Sequence, residues 1–466
     1  MKTACVIGLV VVLAFPGSSA AGPCVDPADI EGFASFEVDV ASSLFAVHTR
    51  SGSDPLGGRG DALLLLLEDA VADYAQRGWR SPAGIDTSPM LVFVEALPGG
   101  VGGYTRVASC GDTEGEVDYM VVSEAWLDDD ERLAPLVAHE LFHTVQRQYL
   151  PEAFGPDATN TGNQWFIEAS AVYEESLVFP QFTRTAEERS VVWSLEPWWA
   201  LKTTDGLTEY ARFIYPLALE AMTAGPQWHL EVWETAVDEP TWDVVAAIDE
   251  VTDRGFDAGV RDYLVLASEM DLPRLDGLVG PRDVPSDGSL SGLTDFVDAE
   301  ELPGDGDVPP GDPEGPQSWG ANYVWFDGQR MEPETALRLE VALDPETPDG
   351  ALVTWAVEVV AASGGEVVNR LSVVPASADP RAVVVVHGIA ESIDGVWLIV
   401  SPGPDFVGET PGWSWSARVH PGESELRLEE LAPGCGCASL GSRPSGAAPP
   451  ILALLLLAVV WRRRVI

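Results

Sequence analysis

Two short stretches decide how this chain is expected to fold and act: His139-Glu140-Leu141-Phe142-His143 and Trp165-Phe166-Ile167-Glu168-Ala169-Ser170-Ala171. Residues four apart on an α-helix share a face, so His139 and His143 can direct their imidazole nitrogens to one point. Histidine pairs at this spacing are frequent zinc ligands. Glu140 lies about 100° further round the helix, close enough to reach a metal-bound water. The pattern predicts a zinc site whose third ligand comes from elsewhere in the chain.

The residues around the motif predict that it lies on a buried helix. Acidic residues at 128–131 form a first turn, and Pro135 follows near the helix start, where its missing N–H costs little. Apolar residues recur at helical spacing: Leu133, Leu136, Val137, Leu141 and Val145. The alternative is an amphipathic helix whose two histidines are only packed or solvated. The chain has 6 histidines in 466 residues, so a chance match to the motif is uncommon.

A second helix is predicted from Trp165 to Leu177, after a run of turn-forming residues. Glu168 lies near its start and is the candidate third ligand, with two small alanines nearby that let helices approach closely. Glu175 lies two turns further along the same face. We expect Glu175 either to accept a hydrogen bond from a ligating histidine or to face solvent together with Glu174.

The motif followed by Trp165-x-x-Glu168-Ala169-x-Ala171 resembles the gluzincin branch of the zincin metallopeptidases. The resemblance covers roughly residues 90–225, and the layout is similar to that of secreted metalloproteases of myxobacteria. It implies an α+β, zincin-like fold with Glu168 as the third zinc ligand. Two features depart from the family pattern, since Ala169 replaces the usual glycine and no G-x-M-E-N exopeptidase signature precedes the motif.

The mechanism that the resemblance implies is zinc-assisted hydrolysis of peptide bonds. Zinc lowers the pKa of its bound water towards about 7 and polarises the scissile carbonyl, with Glu140 as the general base. A donor to the developing oxyanion is also needed. Tyr210 and Tyr215 are both candidates, although a core aromatic is the commoner role for a tyrosine in such a stretch. His229 has no ligand spacing that points to it.

The composition of the chain restricts its partners. The formal net charge is -48, with 74 acidic against 26 basic residues. So acidic a surface repels nucleic acid and anionic lipid, which excludes both as main partners. Hydrophobic residues form 46% of the chain, enough for folded cores, and the length suggests two or three domains. We expect a monomer whose partner is a protein or peptide substrate and whose charge serves solubility.

The N-terminus is predicted to direct export. Residues 1–21 have the charged start, the apolar core and the small residues of a signal peptide. Export permits disulfide bonds, and Cys24 and Cys110 are the expected pair because no other cysteine falls in the mature body of the chain.

The C-terminus is predicted to be a sorting or anchoring segment at residues 434–466. Its apolar run is shorter than the ~20 residues of a comfortable transmembrane helix, so one interpretation is a marginal membrane anchor. A cysteine pair at Cys435 and Cys437, a spacer, the short apolar run and terminal arginines resemble the sorting tails of myxobacterial surface proteins. This implies processing at the cysteine, followed by display on the outer surface or release.

Between the two ends, the chain divides into four predicted parts. Residues 22–280 form the metallopeptidase domain, within which 24–60 carry weak helical signals and could act as a prosegment. Residues 281–316, rich in Pro, Gly and Asp, form a linker, and 421–433 form a stalk. Residues 317–420 have period-two hydrophobicity and predict an accessory β-sandwich.

Several elements are predicted inside these parts. Helices and strands of the first domain are expected at Asp61–Arg77, Met90–Leu97, Val117–Val122, Thr241–Asp253 and Phe256–Met270. Strands of the sandwich are expected at Tyr323–Phe326, Ala336–Leu343, Leu352–Val360, Ala382–Val386, Gly395–Ser401 and Trp413–Val419.

Taken together, the sequence predicts a secreted or surface-displayed zinc endopeptidase. The main alternative is a non-catalytic adhesin or binding protein built on a metallopeptidase scaffold. The presence of His139, Glu140, His143 and Glu168 favours the enzyme. A zinc hydrolase acting on something other than peptide bonds is a third interpretation.

Overall fold

In the part of the chain that it describes, the computed structural model contains helices and three five-stranded β-sheets, so the fold is α+β, as predicted. It describes residues 30–431 except for 31, 53–55, 83–84, 86–87, 110–115, 152–160, 196, 198, 224, 238–240, 274, 276, 283–293, 298–305, 312–315, 329–330, 333, 349, 377–378, 390–392 and 404–409. The helices are α1 (Gly60–Arg77), α2 (Asp130–Gln146), α3 (Gln164–Val178), α4 (Arg184–Leu195), α5 (Thr208–Ala211), α6 (Ile214–Thr223), α7 (Gln227–Glu234), α8 (Val244–Val251) and α9 (Phe256–Glu269).

The strands follow in the same chain order. They are β1 (Phe36–Ala41), β2 (Phe45–Arg50), β3 (Met90–Glu95), β4 (Gly103–Ser109), β5 (Glu116–Ser123), β6 (Thr294–Val297), β7 (Gly306–Gly311), β8 (Asn322–Asp327), β9 (Thr335–Leu343), β10 (Trp355–Ser363), β11 (Glu366–Val373), β12 (Arg381–His387), β13 (Gly395–Pro402), β14 (Trp413–Pro421) and β15 (Arg427–Glu430).

The first sheet has the strand order β1-β2-β3-β5-β4. The pairs β2–β3 and β3–β5 are parallel, whereas the two outer pairs are antiparallel. The weak helical signals in residues 24–60 were wrong for 36–50, because β1 and β2 lie there and β2 pairs with both β1 and β3. Removal of residues 24–60 as a prosegment would therefore take two strands out of this sheet.

Both faces of the first sheet are apolar. On one face, alternate residues of the central strands, such as Val92 and Met120, join the main core under α1 and α2. On the other face, Phe93 and Tyr119 belong to a smaller cluster with Phe33, which stacks on Phe93 at 3.9 Å between ring centroids. Since strands buried on both faces are almost continuously hydrophobic, this accounts for the unbroken apolar run in β3.

The motif helix α2 is buried along most of its length, as predicted. Every residue from Leu133 to Gln146 is buried, and α2 packs against α3 and α1 as well as the first sheet. Small side chains permit this close packing, including Ala134 and Ala138 on α2 and Ala169 and Ala171 on α3, all 0% exposed. The interface between α2 and α3 therefore fixes how the motif side chains face those of α3.

The second and third sheets bury one shared apolar core. Their strand orders are β11-β10-β13-β8-β6 and β15-β12-β9-β14-β7. Inward residues alternate along the strands, as Leu337, Leu339 and Val341 do in β9. The six strands predicted from period-two patterning lie here, although β10 begins at Trp355 rather than at Leu352.

The predicted linker and stalk both contribute strands to these sheets. Within 281–316, β6 pairs with β8 and β7 pairs with β14, and within 421–433, β15 pairs with β12. Residues 281–316 are rich in Pro and Gly, and residues 421–433 are rich in Pro and Glu. These compositions concealed strands at the edges of the sheets, where proline is tolerated because one side of the strand needs no ladder partner.

The second sheet docks on the helical part through its other face. Tyr323, Trp325 and Trp397 belong to the main core, and the Tyr323 hydroxyl donates to Leu264 O at 3.0 Å. Trp397 Nε1 donates to Glu269 Oε1 at 2.5 Å, so α9 lies against the sheet. The second sheet is therefore packed on the helices by one face and on the third sheet by the opposite face.

The sorting segments lie outside the described residues. This applies to the signal peptide at 1–21, to the Cys24–Cys110 pair and to the tail at 434–466. Among the residues that the structure does describe, no helix has the length and apolarity needed to cross a bilayer.

Candidate metal centre

Three side chains from two helices converge on one point. His139 and His143 come from α2 and Glu168 comes from α3. His139 Nε2 lies 3.1 Å from His143 Nε2 and 3.2 Å from Glu168 Oε2, and His143 Nε2 lies 3.5 Å from Glu168 Oε2. The structure thus brings together the three predicted ligand residues as a group that could hold a metal ion.

The spacing of these three atoms fits a tetrahedral ion with short bonds. Metal–ligand bonds of about 2.0–2.1 Å at tetrahedral angles place the ligand atoms roughly 3.3 Å apart. The three distances observed between the ligand atoms, 3.1, 3.2 and 3.5 Å, lie on either side of this value. The side chains of His143 and Glu168 are 11% and 12% exposed, so the group is largely buried and retains a little contact with solvent. Two imidazoles and one carboxylate are a donor set that a divalent metal ion can take.

The Nδ1 atom of each of these two histidines also has a hydrogen-bonding partner. His139 Nδ1 lies 2.8 Å from Glu175 Oε1, and His143 Nδ1 lies 2.8 Å from Gln146 Oε1. Gln146 is oriented by its own amide, which donates to Ile167 O and to Ser170 Oγ. With Nδ1 as the donor on both rings, both Nε2 atoms present lone pairs to the same point. Gln146 was not anticipated from the sequence, because its spacing from His143 carries no metal-site signal.

Glu175 is the hydrogen-bonding partner of His139 and does not face solvent. It is 4% exposed, and it also accepts from Thr185 Oγ1 at 3.2 Å and from Arg189 Nη1 at 2.6 and 2.7 Å. The alternative that Glu174 and Glu175 face solvent is therefore wrong, since the exposed fraction of Glu174 is 0%.

Glu174 belongs to a separate buried cluster. It accepts from His229 Nδ1 at 2.8 Å and pairs with Arg77 at 2.5 Å. His229 also accepts from Trp233 Nε1 at 3.2 Å. The structure therefore places His229 in the core, away from the three convergent side chains, in agreement with its lack of ligand spacing.

Glu140 lies on the motif helix beside the first sheet. It is buried, and Thr105 Oγ1 of β4 donates to its carboxylate Oε2 at 3.0 Å and to its backbone oxygen at 2.8 Å. Strand β4 is the last strand of the first sheet in the order β1-β2-β3-β5-β4. An edge of the first sheet therefore lies next to Glu140. The sequence gives no sign of the contact between Thr105 and Glu140, because the two residues are far apart in the chain.

Of the two candidate tyrosines, Tyr210 is next to the convergent side chains. Its ring stacks on His139, with 5.7 Å between ring centroids and 28° between planes. Tyr215 is completely buried among aromatic rings, including Trp165 and Tyr263. The geometry therefore separates the two candidates that the sequence left open.

The electrostatics of the group are those of carboxylates and imidazoles buried together. Burial alone would lower the pKa of His139, but its hydrogen bonds to Glu168 and Glu175 raise that pKa to about 10. Burial opposes ionisation of Glu168 too, yet the adjacent His143 and His139 hold its carboxyl pKa well below the usual range. For Glu140, burial prevails and raises the pKa. Metal binding at such a group competes with protons for the imidazoles.

Comparisons with known proteins add little to this geometry. No family model matches the chain, and no curated protein matches it. One solved structure that a search returns is BtGH115A, a family GH115 4-O-methyl-α-glucuronidase with specificity for decorated arabinogalactans. The two share 9% sequence identity over 72% of this chain and 52% of that one, with a TM-score of 0.14. This chain spans about half the length of that protein, and so low a score carries no argument about fold or function.

Proposed function

We propose that this protein is an exported zinc-dependent endopeptidase with a zincin-like catalytic domain. The observation that carries the proposal is the convergence of His139 Nε2, His143 Nε2 and Glu168 Oε2, with 3.1–3.5 Å between them and Glu140 on the same helix. Three convergent ligands and a separate buried carboxylate are parts that a zinc hydrolase requires.

The roles of the side chains follow from their positions. A zinc ion held by the three ligands would supply a Lewis acid and a water of lowered pKa. Glu140 takes a proton from the attacking water and delivers it to the leaving amine, and Thr105 orients the carboxylate by donating to it. Tyr210, stacked on His139, is the proposed hydrogen-bond donor to the developing oxyanion.

The edge of the first sheet supports a peptide as the substrate. An extended peptide can add to an exposed strand through backbone hydrogen bonds, which gives affinity with little dependence on sequence. Strand β4 lies at that edge and is tied to Glu140 through Thr105. A peptide paired with β4 would therefore lie alongside the general base. Location outside the cell rests on the predicted signal peptide at 1–21 and the predicted tail at 434–466.

The proposal is tested by metal analysis and a casein assay on wild type, Glu140→Gln and Glu131→Gln. Glu131 lies on the same helix but is exposed, so its replacement is a matched control. We expect one zinc per chain in all three proteins and a loss of activity of about 10²–10⁴-fold in Glu140→Gln alone. Zinc without turnover of any peptide in a library would favour the binding-protein alternative. A wild-type protein that binds no zinc would contradict the proposal.

A further inference from the structure

Arg189 links the two groups that support His139. Its Nη1 donates to both oxygens of Glu175, at 2.7 and 2.6 Å, and Glu175 accepts from His139 Nδ1. The same guanidinium lies 5.7 Å from the ring centroid of Tyr210, and the Tyr210 ring stacks on the imidazole of His139. Arg189 is on α4, an element with no part in the motif, and its side chain is only 22% exposed.

The negative charge of the site explains why a cation is needed beside Glu175. Glu140, Glu168 and Glu175 are three largely buried carboxylates within one group. A bound zinc ion would balance two of the three negative charges, and the guanidinium of Arg189 lies where it can balance the third. Without Arg189, the described donors to the buried Glu175 carboxylate would be the His139 ring and the Thr185 hydroxyl, and a carboxylate with so few donors is costly to bury.

We infer that Arg189 is a positioning residue of the metal centre, which holds the Glu175 carboxylate in place as the acceptor for His139. It acts through Glu175 and does not touch the metal ion itself. This inference deepens the proposed function and rests on its zinc site. Groups that orient a ligating histidine in this way typically change metal affinity by about 10–100-fold when they are removed.

The test measures zinc affinity by chelator competition in Arg189→Met, Arg189→Lys and Arg184→Met. Arg184 is on the same helix and forms exposed ion pairs with Asp129 and Glu188, so Arg184→Met is the matched control. We expect about a 10–100-fold weaker affinity for Arg189→Met, a change of under threefold for Arg184→Met, and recovery of most of the affinity in Arg189→Lys, which keeps the charge. The visible spectrum of the cobalt-substituted protein is expected to shift in Arg189→Met, because the His139 ligand is no longer held.

A double-mutant cycle separates this role from general stabilisation. If Arg189 acts through Glu175, the variant with both Arg189→Met and Glu175→Gln binds zinc about as weakly as Glu175→Gln alone. Additive losses in the cycle would overturn the inference. If Arg189→Met does not fold, Arg189→Gln replaces it, with an expected loss of at least about threefold.

The outcomes distinguish the inference from the proposed function. Wild type that binds one zinc tightly, together with an Arg189→Met protein of unchanged affinity and cobalt spectrum, overturns the role of Arg189 alone. Wild type that binds no zinc overturns the proposed function and the inference with it.

Discussion

His139 and Glu175 are joined by a 2.8 Å hydrogen bond between Nδ1 and Oε1, in the interface between α2 and α3. The other nitrogen of the same ring, Nε2, lies 3.2 Å from Glu168, which precedes Glu175 by two helical turns on α3. One imidazole is thus held between two carboxylates of one helix face. The helix spacing of α3 therefore sets both the third ligand and the orientation of the first one.

Replacement of Glu175 by glutamine is expected to weaken zinc binding by about 10–100-fold while the fold is kept. The amide has the same shape, but it lacks the charge that polarises the His139 ring and pairs with Arg189. Chelator competition measures the affinity, and circular dichroism checks the fold. Glu188→Gln, at an exposed position on α4, is the control. Wild-type affinity in Glu175→Gln would show that this hydrogen bond does not tune the metal site.

Replacement of Glu168 by glutamine is expected to cost more, at least about 100-fold in zinc affinity, because it removes a ligand and not a supporting group. Glu168 Oε2 faces both histidines, whereas its Oε1 accepts from Gln164 Nε2 at 3.0 Å. Gln164→Ala should therefore have a much smaller effect. Full retention of zinc by Glu168→Gln, measured by the same competition, would show that the third ligand is another residue.

The pair Tyr210→Phe and Tyr215→Phe separates the two candidate oxyanion donors. Tyr210 stacks on His139, so its loss is expected to lower kcat about 100-fold with zinc content unchanged. The Tyr215 hydroxyl is buried without a hydrogen-bond partner among the described residues, so Tyr215→Phe should leave both activity and stability near wild type. Steady-state kinetics on a peptide substrate measures both. Equal activity of the two variants would remove Tyr210 from the mechanism.

The interface between the helices and the second sheet is expected to depend on Arg370. Its guanidinium pairs with Asp262 of α9 and with Glu358 of β10, whose side chains are 7% and 2% exposed. Arg370→Met leaves both carboxylates without this cation and should lower the free energy of unfolding by roughly 2–4 kcal/mol, as urea denaturation measures. The exposed pair of Arg338 and Glu340 supplies the control, since Arg338→Met should cost under about 1 kcal/mol. Equal losses of unfolding free energy in Arg370→Met and Arg338→Met would show that the ion pairs of Arg370 are not buried in solution.

Sequence patterns predicted those parts of the site that lie close together along the chain. Helical periodicity predicts that His139 and His143 share a face, and Glu168 follows from the resemblance and the next helix. Thr105, Arg189 and the position of Tyr210 were beyond prediction, because each reaches the site only through packing of separate elements. Contacts of that kind depend on tertiary structure and leave no periodic signal.

Sequence patterns likewise predicted some strands of the fold and missed others. Period-two patterning predicts the central strands of the second and third sheets, where one face meets a shared core. It does not predict that the second sheet is covered on its other face, as β13 is, with every residue from Gly395 to Pro402 buried. The edge strands β6 and β7 were hidden because turn-forming residues are common in 281–316, and β15 because 421–433 is rich in Pro and Glu.

The most direct test of the central claim is an anomalous difference map at the zinc absorption edge, from crystals of zinc-loaded protein. The account predicts one strong peak per chain, within about 2.0–2.2 Å of His139 Nε2, His143 Nε2 and Glu168 Oε2. A map with no peak between these atoms, or with its peak at other residues, would contradict the account.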